Sequence, residues 1–186
     1  MRLKILKLMK YVVTGGAGFI GKNIVKLLIK QNHEVEVIDN LHSGKISNLE
    51  EIKDKIKFHD CDILDFKKME EICKDVDGVF HQAALTVVQE SYTKKEEYYK
   101  VNVKGTENIF SLAKKYNFKV VFASSSSIYG NTNSIPIKED FDRNPINPYG
   151  QTKLDDEYLA EKFWGMGVNI IGLRYFNVFG KDQNIS

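Results

Sequence analysis

The segment from Tyr11 to Asp39, YVVTGGAGFIGKNIVKLLIKQNHEVEVID, constrains the fold more tightly than any other stretch of the chain. A short β-branched run ends in clustered glycines, the next residues carry apolar side chains at helical spacing, and a second apolar run ends in Asp39. Runs of strand character on either side of a helical period describe a strand, a crossover helix and a second strand parallel to the first. A chain that begins this way is committed to an α/β sheet.

The alternation continues to the last residues. Runs rich in Val, Ile and Phe predict six strands at residues 10–14, 34–39, 56–60, 78–81, 119–124 and 169–174. Helical periods predict helices at 19–30, 64–74, within 91–117 and at 149–164. This is the pattern of a doubly wound parallel sheet covered by helices, the Rossmann type of α/β fold. Residues 130–148, GNTNSIPIKEDFDRNPINP, hold all three prolines and read as a loop. At 186 residues the chain has the length of one domain with a full core, or of the first part of a larger protein. With 27 basic against 25 acidic residues, a net charge of +2 does not favour nucleic acid or an anionic membrane as partner. Cys61 and Cys73 fit no metal-ligand spacing and the histidines form no cluster, so no metal site is expected. The opening MRLKILKLMK lacks the uninterrupted apolar run of a secretory signal. A cytoplasmic protein with reduced thiols is therefore expected, with residues 1–8 an added arm and one domain over 9–186.

The glycines carry the first chemistry. Gly16, Gly18 and Gly21 satisfy one dinucleotide-binding spacing and Gly15, Gly18 and Gly21 a second, in the context of strand, helix and strand-end acid that gives such a motif its weight. Glycines let the backbone turn sharply and approach a pyrophosphate, whose charge lies against free amides at the helix start. Asp39 can accept hydrogen bonds from an adenosine ribose, and its charge repels a ribose phosphate, so NAD is expected over NADP.

In a doubly wound sheet the ligand lies beyond the carboxyl ends of the strands. The third end reads DCDIL, where Asp62 and Ile63 flank an adenine or form only a polar loop. The fourth reads HQAAL, where Ala83 and Ala84 admit close backbone approach and His81 is a contact or a core histidine. The fifth reads ASSSSIYG, where a serine serves a substrate or caps a turn. The sixth reads LRYFNVFG, where Asn177 and Arg174 meet a polar substrate or Arg174 makes a structural ion pair. In NPYGQTK, an Asn147 cap and Pro148 start a helix that sets Tyr149 and Lys153 one turn apart. An ammonium beneath a phenol favours the phenolate and could make it a base, although the pair alone also fits a half-buried aromatic beside a solvated lysine.

Taken together and in this order, TGGAGFIG, DCDIL, HQAAL, SSSSIYG, YGQTK and LRYFNVFG resemble the extended short-chain dehydrogenase/reductase superfamily, in its NAD-dependent epimerase/dehydratase family. Within it the resemblance is closest to the UDP-sugar 4-epimerases of the UDP-glucose (UDP-galactose) type, over residues 9–183. It implies NAD-dependent epimerisation of a UDP-sugar at carbon 4 through a transient 4-keto sugar. It also implies a homodimer formed through helices within residues 91–117 and 149–164. By resemblance Tyr149 is the catalytic base, Lys153 its partner and a holder of the nicotinamide ribose, and Ser125 the catalytic serine. Gly15, Gly18, Phe19, Ile20, Asp39, Asn40, Asp62, Ile63, Gln82, Ala83 and Asn102 match cofactor-contacting positions, to which Gly21, Ala84 and Ser124 are added. Asn177 and Thr86 match substrate positions alongside Ser125 and Tyr149.

Ser126 and Ser127 stand where the family's dehydratases and decarboxylases carry acids, which favours epimerisation. Thr86 stands where some UDP-galactose epimerases carry lysine, and in lacking that lysine the chain resembles members acting on UDP-N-acetylhexosamines or UDP-uronic acids. Family members continue well past RYFNVFG with most of the sugar pocket, so a C-terminal substrate domain is expected to be missing. The alternatives are a nucleotide-sugar reductase or dehydratase of the same superfamily, and a non-catalytic NAD-binding module.

Overall fold

The computed structural model describes residues 8–133, 135–180 and 183. Residues 1–7 of the expected arm lie outside them. Six strands, β1 (Lys10–Thr14), β2 (Glu34–Asp39), β3 (Lys57–Asp60), β4 (Gly78–His81), β5 (Lys119–Ser125) and β6 (Ile170–Tyr175), form one sheet in the order β3-β2-β1-β4-β5-β6. Every pairing is parallel. The connections run outward from β1 to β3, return to β4, and run outward again to β6. The reversal between β1 and β4 is the topological switch point, where the ends of the two strands, Thr14 and His81, lie level.

Both faces of the sheet are covered, which is why its strands read as nearly continuous apolar runs. Adjacent residues of β1 show it: Val12 and Val13 point to opposite faces and both are fully buried. Helix α1 (Phe19–Lys30) and a 3-10 segment (Ile46–Lys55) close one face, packing Val25, Leu28 and Leu49 on Val13, Val35 and Val37. On the other face, α2 (Phe66–Cys73), α5 (Gly105–Tyr116) and α6 (Pro148–Trp164) pack Met69, Phe110 and Phe163 on Val12, Val79 and Phe122. Phe110 meets Phe122 edge-on, with ring centroids 5.5 Å apart. The last strand β6 is an edge, and its Ile171 is 54% exposed. Among the described residues no helix is long and apolar enough to cross a membrane.

The strands fall within a residue of their expected places. The helix expected within residues 91–117 is instead a broken column: α3 (Val88–Thr93), α4 (Lys95–Tyr98), a π-helical turn (Tyr99–Lys104) and α5. Lys94 separates the first two, with ψ 38° where a helix needs a negative value. A π turn accommodates one residue more than an α turn, and this one turns Asn102 wholly inward. The 3-10 segments at Ile46–Lys55 and Ser126–Tyr129 were not expected, because polar and serine-rich stretches of that length carry no usable period.

Candidate active site

The Gly15–Gly21 turn leaves the end of β1 and enters α1 by way of two close backbone contacts. Gly15 has φ +66°, and a Cβ on it would stand 2.8 Å from the Ala83 amide nitrogen of the β4 end. A Cβ on Gly21 would stand 2.1 Å from the Gly15 carbonyl oxygen, so the helix can start this close to the strand only with glycine there. Gly21→Ala is expected to cost about 1–3 kcal/mol through overpacking against backbone. Urea unfolding measures that loss, and an unchanged midpoint would show that the turn has slack. Helix α1 itself has no side-chain cap and no acid in its first turn. Its first amides therefore lack intrahelical partners and carry the positive end of the helix dipole toward the space beyond the sheet.

That space is a cleft of about 700 Å³ at the switch point. Gly15, Gly18, Phe19, Ile20 and Gly21 form one wall, with Asp39, Asn40, Asp62 and Ile63 beyond the ends of β2 and β3. Asp39 is held rigidly: Ala17 N–H donates to Oδ2 at 2.9 Å and Leu41 N–H to Oδ1 at 2.8 Å. Asn40 donates to Asp62 at 3.0 Å, joining those two into one rim. Gln82, Ala83, Ala84 and Thr86 follow β4 along the floor, and Asn177 follows β6. The Gln82 carboxamide is buried there with neither Nε2 nor Oε1 in hydrogen-bond geometry with a partner.

Ser124, Ser125, Tyr149 and Lys153 close the opposite side. Asn147 caps α6 as its sequence suggests, its Oδ1 accepting from Gly150 N–H at 2.7 Å, and Pro148 occupies the first turn. Ser91 of α3 steadies the same turn by accepting from Tyr149 N–H at 3.2 Å. Lys153 is 3% exposed and donates to Asp156 at 3.1 Å, so it is no solvated surface charge. The serine question resolves into two roles. Ser125 accepts from Ser127 N–H at 3.1 Å, capping the 3-10 turn while its own hydrogen remains available to the cleft. Ser124 donates to Glu157 at 2.6 Å, so its hydroxyl is engaged behind the wall.

Three residues are held by partners within the protein. Asn102 is fully buried; its amide grips both backbone atoms of Leu85 and the Thr152 hydroxyl, at 2.8–3.0 Å, and so shapes the floor. His81 is a core histidine, bonded by Thr14 and Thr106, and burial lowers its proton affinity to about 3. Arg174 is an ion-pair residue, donating through Nε and Nη2 to Glu157, both at 2.9 Å.

Several wall residues were not singled out from sequence, among them Leu85, Tyr175 and Phe176. Position directly after a strand end was the available signal. Asp156 and Glu157 were also missed, although both lie about one turn beyond Lys153, where a helical projection would have set them beside it.

The profile of the NAD dependent epimerase/dehydratase family matches residues 11–185. The chain belongs to this family. It is 40% identical over 182 residues to the UDP-glucose 4-epimerase of Lactobacillus helveticus, covering 95% of the chain and 54% of that relative. The solved UDP-N-acetylglucosamine 4-epimerase of Methanobrevibacter ruminantium superposes with a TM-score of 0.91 at 39% identity, covering 96% of the chain and 58% of that structure. A UDP-glucose 4-epimerase complex with NAD from Thermus thermophilus superposes at 0.86 and 33% identity, covering 95% and 58%. The chain thus spans little more than half the length of the relatives it matches. The cofactor of the family is NAD, and the cleft fits it: glycine-only backbone approach, an uncapped helix start and a fixed carboxylate stand in the order of pyrophosphate and ribose.

Proposed function

We propose that this chain carries the NAD-binding and catalytic half of a UDP-sugar 4-epimerase. The observation that carries the reading is the convergence of Ser125, Tyr149 and Lys153 on one cleft with the glycine turn and the uncapped start of α1. Gly15, Gly18 and the first amides of α1 would hold the pyrophosphate, Asp39 the adenosine ribose, and Asp62 and Ile63 the adenine side. Lys153 would hold the nicotinamide ribose. NAD, when bound, supplies reversible hydride acceptance from carbon 4 of the sugar, so no second redox substrate is consumed.

The remaining chemistry belongs to this chain. Tyr149 lies one helical turn from Lys153 on the same stripe of α6. As phenolate it takes the proton of the sugar 4-hydroxyl and returns it after the 4-keto sugar has turned over. Ser125, with its oxygen engaged by Ser127 N–H, has its hydrogen free to donate to the same sugar oxygen. Ser126 and Ser127 continue the wall beyond Ser125, and the absence of an acid at those two places favours epimerisation over elimination of water. Asn177 and Thr86 line the same cleft, where they would meet the sugar nucleotide. A cytoplasmic homodimer completes the reading; for the dimer, the support is the exposure of Tyr92, Tyr99 and Tyr158 on α3, the π turn and α6.

Proton NMR tests the proposal. The chain, alone and within a polypeptide of the relatives' length, is incubated with NAD and a pool of UDP-glucose, UDP-N-acetylglucosamine and UDP-glucuronate. The expected result is the anomeric signal of one 4-epimer with no net NADH. Net NADH formation or elimination of water, or no conversion by either form, counts against it.

A further inference from the structure

Beneath the cleft, the Lys153 ammonium is backed by a carboxylate that no cleft chemistry requires. Asp156 is fully buried, accepts from Lys153 through Oδ2 at 3.1 Å, and leaves Oδ1 without a partner in hydrogen-bond geometry. A buried ion pair with an unfilled acceptor is a poor stabilising device, since desolvation offsets most of its attraction. Its place on the helix is informative: Tyr149, Lys153 and Asp156 fall at i, i+4 and i+7, one stripe of α6.

A chain of hydrogen bonds runs toward Asp156 from the other side. Thr14 Oγ1 accepts from the Gln82 and Ala83 amides, each at 3.2 Å, which fills its lone pairs and leaves its hydrogen for His81 Nδ1 at 2.7 Å. His81 therefore carries its proton on Nε2 and donates to Thr106 Oγ1 at 3.0 Å. The Thr106 hydroxyl ends the chain on the Asp156 side, and its proximity favours the charged form of that carboxyl.

We infer that Asp156 is a positioning residue for the Tyr149–Lys153 pair, holding the Lys153 ammonium from its buried side and setting how much positive charge the Tyr149 phenol feels. The inference rests on the reading of that pair as the reacting one. Burial pushes the Asp156 carboxyl up to about 6 despite Lys153 and Thr106, so its charge changes close to neutrality. The titratable groups around it are Lys153 and Asp155 on α6 and, through Lys153, His81 at the end of β4. The other elements packed on α6 present groups already engaged elsewhere. Asn102 of the π turn bonds Thr152, Tyr98 of α4 donates to Val87 O, and Ser124 of β5 and Arg174 of β6 bond Glu157.

The test follows tyrosinate absorbance against pH in the chain without NAD, with Tyr149→Phe subtracted to isolate Tyr149. In Asp156→Asn, which keeps an acceptor for Lys153 but removes the charge, the Tyr149 midpoint is expected to fall by about one pH unit. Asp156→Ser removes the same charge in a smaller polar side chain and is expected to move the midpoint the same way. It serves as the reporting variant if Asp156→Asn fails to fold. An unmoved or raised midpoint in the folded variant overturns the inference. The readout is independent of turnover: a shifted midpoint alongside an active Tyr149→Phe protein would sink the catalytic reading and leave the electrostatic coupling standing.

Discussion

On the proposed reading, Tyr149→Phe is expected to lower the 4-epimerisation rate by about 10²- to 10⁴-fold, the usual contribution of a placed acid–base group. The substitution removes one oxygen and little else. The ring remains, Asn147 still caps the helix, and the Tyr149 N–H that Ser91 accepts is backbone. Substrate affinity should therefore change little while kcat falls, the signature of an interaction made chiefly in the transition state. Steady-state rates with the sugar identified by NMR provide the measurement. Retention of full activity would require another base, and the histidine that feels the Lys153 charge, His81, is buried and occupied on both nitrogens.

Glu157→Ala is expected to be the most damaging single change to stability away from the sheet core, at about 3 kcal/mol, the lower end for breaking a buried ion pair. Glu157 accepts from Ser124 on β5, Arg174 on β6 and Arg143 in the loop before α6. Its own side chain is 10% exposed, but the arginines are 21% and 26% exposed, so water softens the loss. Arg174 also donates to the Tyr129 hydroxyl at 2.7 Å and to Glu139 O at 2.6 Å, so one carboxylate ties the serine wall, the last strand and residues 139–143 to the helix of Tyr149 and Lys153. In thermal unfolding the deficit amounts to a fall in Tm of about 6–12 °C for a domain of this size.

The pH dependence of that deficit has a definite sign. Burial acts to raise the Glu157 carboxyl, yet the hydrogen bonds from Arg174, Ser124 and Arg143 outweigh it and hold the group below the ordinary glutamate range. A depressed carboxyl contributes stability that is present above its unfolded value and lost as the pH falls through its folded value. The difference between wild type and Glu157→Ala should accordingly be full at pH 7 and shrink on acidification below the usual glutamate range. Equal Tm values at pH 7 would show that the network is ornamental to stability.

The sheet and its ligand side were legible because they depend on local periodicity. A β-branched run followed by a helical period leaves one topology open to a short crossover, and glycines at 15 and 21 are required by backbone approach alone. The Tyr149–Lys153 turn was legible for the same reason, since Asn147, Pro148 and the one-turn spacing are all within one short stretch. Tertiary structure alone decided what each polar residue faces. Ser124 and Ser125 are neighbours on an extended strand and so point to opposite sides, which sends one hydroxyl to Glu157 and leaves the other at the cleft. Asn102 was drawn inward by a π turn that no local period foretells, His81 and Arg174 found partners 17 or more residues away in sequence, and burial left one oxygen of Asp156 without a partner. Local patterns determine which elements form and where the chain must turn. Burial and long-range pairing determine which charges remain, and those arise only when distant segments pack.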